Sequence, residues 1–205
     1  MKIRHLFLLL FAGLSAPLAA QTADPEWSRF ADELKRKSRD IQTIECRFTQ
    51  TRRAAVLKQE VSKQGTFSYK RPEQIRLLFA DGDCIVMNGD RFRLVSGGKT
   101  TLVKTQSNPM LRELRRTLAA CMTGDLDALT TAFAPRLTDR GGHYELRLVP
   151  RRKQRLAEML LVISKRDMSL DALRMTETSG DYLHYAFTDK RFNGPIADET
   201  FRTEP

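Results

Sequence analysis

Over most of the chain, apolar and polar residues alternate one by one, the period of strands that bury one face. Ile44, Cys46 and Phe48 alternate with Glu45, Arg47 and Thr49. Phe67, Tyr69 and Arg71 share a face opposite Thr66, Ser68 and Lys70, and Ile75, Leu77 and Phe79 follow on the next strand. Cys84 to Met87, Arg91 to Val95 and Thr100 to Lys104 continue the series. Asp81-Gly82-Asp83, Asn88-Gly89 and Ser96-Gly97-Gly98 punctuate it, and Asn-Gly is a strong two-residue hairpin signal. Residues 51–58 read as a polar connection. The last third resumes with Tyr144, Leu146 and Leu148, then Met159 to Ile163, Leu173 and Met175, and Leu183, Tyr185 and Phe187. A last short strand is expected near Phe201.

Three segments switch to helical spacing. Asp24 suits an N-cap and Pro25 a first helical position, ahead of a stripe of Trp27, Phe30, Leu34 and Ile41. Asn108 and Pro109 open a second helix with Leu111, Leu114 and Leu118 on one face, followed by Cys121 or Met122 and ended by Gly124. A third runs from about Asp125 to Phe133, with Leu126 and Leu129. The reading is an α+β chain, mainly β, of about ten or eleven antiparallel strands and about three helices. A sheet of this size curls. The expected architecture is therefore an incomplete antiparallel β-barrel whose concave apolar face is covered by the helices. If the helices leave space, that face is an apolar ligand pocket; if they fill it, the chain is a structural or interaction domain.

Composition and charge narrow the choice. The length of 205 residues suits one domain with a sizeable core. Lys2, Arg4 and His5, then Leu6 to Leu14, then Ala16-Pro17-Leu18-Ala19-Ala20 have the make-up of a secretory signal peptide cleaved after Ala20. Residues 21–205 then form the single mature domain. The formal charge is +10, and the loss of Lys2 and Arg4 with no acid leaves +8. Export argues against nucleic acid as a partner. The basic residues are interspersed with acids except at Arg151-Arg152-Lys153-Gln154-Arg155, which reads as a solvated hairpin tip, with docking to an anionic surface as the alternative. Cys46, Cys84 and Cys121 are an odd number in apolar patterns. Buried free thiols are the default, and a Cys84–Cys121 bridge stays open.

Catalytic chemistry finds little support. His143 and His184 sit in strands without a nucleophile motif, and neither metal-ligand spacing nor a Gly-rich phosphate loop occurs. The chain reads as a non-enzyme without metal or cofactor; a lipid-processing enzyme would need a catalytic group that the sequence does not display. Arg71 is the anomaly. It lies on an aromatic face, where a charge is costly unless its hydrogen bonds are accepted. Either it snorkels to water at a strand end, or it stands at the mouth of an apolar cavity and holds a movable partner. Phe67, Tyr69, Leu77, Phe79, Phe92, Leu183, Tyr185 and Phe187 are the candidate lining of that cavity; ordinary core packing is the competing role for each.

The order of these motifs resembles that of the periplasmic outer-membrane lipoprotein carrier family (LolA-like), over essentially the whole mature chain. Cys46-Arg47-Phe48-Thr49-Gln50 is similar to the family's Phe-x-Gln strand. Gln64-Gly65 through Lys70-Arg71-Pro72 is similar to its Gly-containing strand ending in Arg-Pro. Asn88-Gly89 stands where the family has Asp-Gly, and Asn108-Pro109 with its leucine stripe where the family has lid helices. Phe201-Arg202-Thr203-Glu204-Pro205 resembles the closing Phe-x-x-x-Pro. The strand Arg91 to Val95 departs from the pattern in carrying one aromatic residue. The resemblance implies a monomeric periplasmic chaperone that shields the acyl chains of lipoproteins. It would take them from an inner-membrane ABC release transporter and pass them to an outer-membrane acceptor. The absence of a cysteine at the cleavage site points to the soluble carrier rather than the lipid-anchored acceptor. The same resemblance makes Leu111, Leu114 and Leu118 a lid, with Arg71 as a latch donating to carbonyls at helix ends near residues 108–133. A lipid-sensing regulatory or protein-interaction domain on this fold, and a paralogue carrying a different lipid-linked cargo, are the alternatives.

Overall fold

The computed structural model describes residues 25–54, 59–104 and 109–204. The described residues open with α1 (Pro25–Arg39), then six strands: β1 (Thr43–Ala54), β2 (Gln59–Lys70), β3 (Gln74–Phe79), β4 (Cys84–Asn88), β5 (Arg91–Ser96) and β6 (Lys99–Lys104). Two helices follow, α2 (Pro109–Thr123) and α3 (Asp127–Ala132). The remaining strands are β7 (Phe133–Asp139), β8 (His143–Pro150), β9 (Leu156–Ser164), β10 (Leu170–Glu177) and β11 (Tyr182–Phe192). All 11 strands among the described residues form one sheet in the order β6-β5-β4-β3-β2-β1-β11-β10-β9-β8-β7. It is thus two sequential meanders joined by a single non-local pairing, β1 with β11. Because β6 and β7 are its two edges, the chain between them must travel from one edge to the other. It carries α2 and α3 on the way, against the apolar face.

One continuous core shows how far the sheet curls. Phe92 of β5, Phe48 of β1, Tyr185 of β11 and Leu146 of β8 belong to the same buried cluster as Phe30 and Leu34 of α1 and Leu114 and Leu118 of α2. Alternation supplies this face directly, since each of those strand residues points the same way as its cross-strand partner. Gly65 is required at the centre. A Cβ there would lie 2.2 Å from the Leu78 carbonyl oxygen and 2.6 Å from the Phe48 ring. Phe48 and Phe79, from the strands on either side, instead meet edge to face over it, with centroids 5.1 Å apart. Gly124 ends α2 at φ +73°, where a Cβ would stand 2.5 Å from the Lys35 Cα, so it also sets how closely α2 approaches α1.

A smaller cluster lies on the convex face. Phe201, fully buried, packs with Cys84 and Val86, flanked by Leu78, Val95 and Ile196. The segment around Phe201 is a 3-10 turn (Asp198–Phe201) and not the expected strand. One apolar anchor among polar neighbours needs a tether, not a ladder.

Three further expectations change. β7 is additional to the strands that alternation predicts, because Pro135 interrupts its pattern; Pro is tolerated since β7 is an edge strand. α3 stops at Ala132, leaving Phe133 to begin β7. Residues 51–54 extend β1 rather than forming a connection. The expected N-caps Asp24 and Asn108 and the signal peptide lie outside the described residues.

The three cysteines are free and buried. Cys46 and Cys121 lie in the main core and Cys84 in the convex cluster, so the sheet separates Cys84 from Cys121 and the bridge left open by the sequence does not form. Burial pushes the Cys46 and Cys121 thiols up to about 12.

Candidate functional site

β1 and β2 outrun their neighbours. The last β2–β3 pair is Gly65 with Phe79, yet β2 reaches back to Gln59. The overhang keeps the alternation of the core but changes its chemistry. Continuing inward from Ile44, Cys46 and Phe48 come Gln50, Arg52 and Ala54, opposite Lys63, Val61 and Gln59. The inner face therefore passes from aromatic to polar and cationic at this open end.

Two clefts meet there. The larger, of about 560 Å³, runs between the overhang and the β4–β5 side, with Phe79, Ile85 and Leu94 as its apolar walls and Arg52, Lys63 and Asp83 around it. The smaller, of about 270 Å³, lies between α2 and β11 and is lined by Leu111, Leu114, Met175, Leu183 and Tyr185. Gln50, Arg52 and Ile85 border both. Volumes of about 300–1,000 Å³ are those of small-molecule sites. Lys63 is spoken for: its ammonium lies 2.7 Å from Asp81 and 3.0 Å from Asp83, and 5.6 Å from the Phe79 ring centroid. The Arg52 side chain has no hydrogen-bond or ion-pair partner among the described residues. Tyr185 is buried, and its hydroxyl oxygen accepts the Gln50 amide at 2.7 Å.

The residues put forward as lining divide three ways. Phe79, Leu183 and Tyr185 line the two clefts, together with Leu111 and Leu114 of α2. Phe67, Tyr69, Leu77, Phe187 and Leu118 are closed core. Phe92 reaches a separate hollow of about 290 Å³ under the β5–β6 edge, with Leu102 and Val103. The concave face is thus plugged through its middle and open at one end. Gln50, Arg52, Ile85, Leu94 and Met175 were missed. Alternation carried two residues past Gln50 would have placed Arg52 on the inner face.

Arg71 holds a different helix from the one expected. Its Nε donates to the Ile41 carbonyl at 3.0 Å and a terminal nitrogen donates to the Ser38 carbonyl, so its bonds among the described residues cap the end of α1 and do not reach the helices near 108–133. The reason is local: Arg71 follows Lys70, which pairs with Thr43, the residue at which the chain leaves α1 for β1. The tie to α2 comes from Glu73, two residues on, which accepts Arg115 Nη1 at 2.7 Å. The turn Arg71-Pro72-Glu73, whose Arg71–Pro72 peptide is cis, therefore clasps both helices. Deeper in, the buried Thr117 hydroxyl of α2 donates to the Met159 sulfur, a weak acceptor. The outer face of α2 borders a polar hollow of about 600 Å³ lined by Glu73, Asp90, Arg112, Arg115, Arg116 and Asp125, among others. His143 and His184 lie on the convex face, by their register with Ser164 and Arg174.

Solved structures align with this chain at low identity. MucB aligns with 15% identity over 89% of this chain and 64% of its own, with a TM-score of 0.52. An uncharacterised conserved protein from Thermus thermophilus aligns with 12% identity over 88% of this chain and 94% of its own, also at 0.52. A LolA superfamily protein from Nitrosomonas europaea aligns with 12% identity over 84% and 97%, at 0.42. A search among curated protein sequences found no match. The sequence profile of the outer membrane lipoprotein carrier protein LolA matches residues 39–204, from the end of α1 through the tether at Phe201. An open antiparallel sheet with its helices on the concave side, and a profile match over more than half of the chain, lead to one assignment: the chain belongs to the LolA family.

Proposed function

We propose that the protein is an exported, periplasmic carrier that shields acyl chains of lipoproteins, or of a related lipid, between its concave sheet and α2. It would receive them at the inner membrane from an ABC release transporter and deliver them to an outer-membrane acceptor, working as a monomer without catalysis. The observation that carries this reading is the pair of clefts meeting at Gln50, Arg52 and Ile85, bounded on one side by Leu111 and Leu114 of α2. A chain entering there meets apolar walls at once and a helix it can displace. Residues 1–20 supply the export signal, and among the described residues no helix is long and apolar enough to cross a membrane.

The energetics suit a carrier. Removing a palmitoyl-length chain from water is worth roughly 12 kcal/mol at about 0.8 kcal/mol per methylene. In the closed form α2 already covers the concave face with Leu114 and Leu118, each worth about 1.5–3 kcal/mol of burial. Cargo replaces those contacts instead of adding to them, and it breaks the Glu73–Arg115 tie as α2 moves. Binding then reflects the difference between two burials, which leaves it weak enough for transfer. Displacing α2 would extend the lining inward from Phe79, Leu183 and Tyr185 to Phe67, Leu77 and Phe187.

The tightly closed middle of the core favours a second reading, in which α2 never leaves and the chain is a regulatory or protein-interaction domain. Native mass spectrometry separates the two. Mature protein incubated with detergent-extracted acylated lipoprotein should retain it, and should not retain the unacylated form. Retention of neither rejects the carrier and leaves the filled-core reading.

A further inference from the structure

Tyr185 is 1% exposed and lines the smaller cleft. Its oxygen accepts from Gln50, but its own O–H has no acceptor among the described residues. A buried donor left unspent is costly. Burial pushes the phenol up to about 12, so the proton is present at neutral pH. Arg52 stands next along the same inner face: Gln50 pairs with Tyr185, and Arg52 with Leu183. It borders both clefts and lacks a partner among the described residues. The acids nearby are engaged, Asp181 of the smaller cleft among them. Glu177 accepts Arg155, Asp81 and Asp83 accept Lys63, and Glu60 accepts the Tyr182 hydroxyl. The clefts therefore hold an unspent hydroxyl and, in Arg52, a cation that borders both of them without an ion-pair partner among the described residues, beside a wall of Leu111, Leu114 and Leu183; Arg53 borders the smaller one.

We propose that the Tyr185 hydroxyl and the Arg52 guanidinium receive the oxyanion of the cargo, so that the preferred ligand is an anionic amphiphile: an acyl chain ending in a carboxylate or a phosphate. This rests on the carrier reading and selects the related-lipid cargo within it, since the ester- and amide-linked acyl chains of a lipoprotein anchor carry no oxyanion. A neutral ester or amide head can accept from the hydroxyl but leaves the guanidinium uncompensated. An oxyanion satisfies both donors in charge-assisted bonds.

Titration calorimetry on the mature protein tests this with three lipids of equal chain length: palmitate, 1-palmitoyl lysophosphatidate and monopalmitoylglycerol. At least one anion is expected to bind about tenfold or more tightly than the glycerol ester, the effect of about one charge-assisted hydrogen bond. Which anion does so tells carboxylate from phosphate. Arg52→Gln and Tyr185→Phe should each bring the ratio of anion to neutral affinity toward one, and Arg52→Lys should keep part of it. Equal affinity for all three lipids in the parent, or an unchanged ratio in both variants, overturns the headgroup proposal and leaves the carrier reading standing. Binding of none of the three overturns the headgroup proposal, and retention of acylated lipoprotein then decides the carrier reading on its own.

Discussion

Replacing Arg71 by leucine asks what holds α1 to the sheet. The guanidinium makes two bonds to α1-end carbonyls, to Ile41 at 3.0 Å and to Ser38, and Ser38 is itself buried. Bonds from a charged donor contribute about 1.5–3 kcal/mol each, and a cation at a helix C-terminus adds about 0.3–1 kcal/mol. Arg71 is only half-buried, so the low end applies and the loss is about 3 kcal/mol. For a chain of this size that lowers the melting temperature by about 6–12 °C, at roughly 2–4 °C per kcal/mol. Thermal unfolding by far-ultraviolet circular dichroism measures the size of the effect, and amide hydrogen exchange locates it. Exchange should accelerate first at residues 36–41, the last turn of α1 and its exit, before any change in α2. Arg71→Lys should recover part of the stability. An unchanged melting temperature together with unchanged protection at residues 36–41 would refute the cap.

The lid itself is tested by Glu73→Gln. Loss of the partly exposed pair with Arg115 is expected to cost about 0.2–1 kcal/mol and to speed uptake of a fluorescent acyl probe up to roughly fivefold by stopped flow; an unchanged rate would remove Glu73 from the clasp. Gly65→Ala forces a methyl group against the Leu78 carbonyl and the Phe48 ring, so a loss of about 1–3 kcal/mol is expected in urea unfolding, against a gain if the site were roomy. Hydrogen bonds from Lys63 hold the Asp81 and Asp83 carboxyls below their usual range, and one from Lys165 does the same for Asp139. A lowered folded pKa stabilises above the ordinary carboxylate value and is lost as pH falls through the folded value. Urea midpoints should therefore fall between about pH 5 and pH 2, less steeply in Asp83→Asn and Asp139→Asn. Cys46 and Cys121, buried and with raised thiols, should react with a disulfide reagent only as fast as the protein unfolds; rapid labelling of native protein would contradict their burial.

The alternation of Ile44, Cys46 and Phe48, and the Asn88-Gly89 turn signal, made the first meander legible, because both are local, although the two-residue loop falls one position on, at Gly89-Asp90. The pairing of β1 with β11 was not, since nothing in residues 43–54 specifies a partner so far along the chain. β7 escaped notice because Pro135 argues against a strand unless that strand is known to be an edge. At the site, the aromatic positions were found by type, and type cannot tell a wall from a filled core: Phe67 and Phe79 look alike in sequence, yet only Phe79 borders a cleft. Arg71 drew attention as a charge on an aromatic face, but its partners are carbonyls, which every residue carries and no side-chain pattern marks.

The single non-local pairing has a consequence for how the molecule is made. Gln50 and its partner Tyr185 are 135 residues apart, so in the folding chain the local pair β1 and β2 can close before the distant pairing with β11. For that interval the middle of the finished sheet is an exposed border, with bare N–H and C=O groups able to template a neighbouring chain. Arg47, Arg52 and Arg53 lie along it and act as gatekeepers against such pairing. The permanent edges are guarded separately, β7 by Pro135 and β6 by Lys99 at its start. Sealing β11 onto β1 is the step that unites two locally folded halves. Its rate, more than the stability of the completed sheet, governs how long a newly made chain remains prone to aggregate.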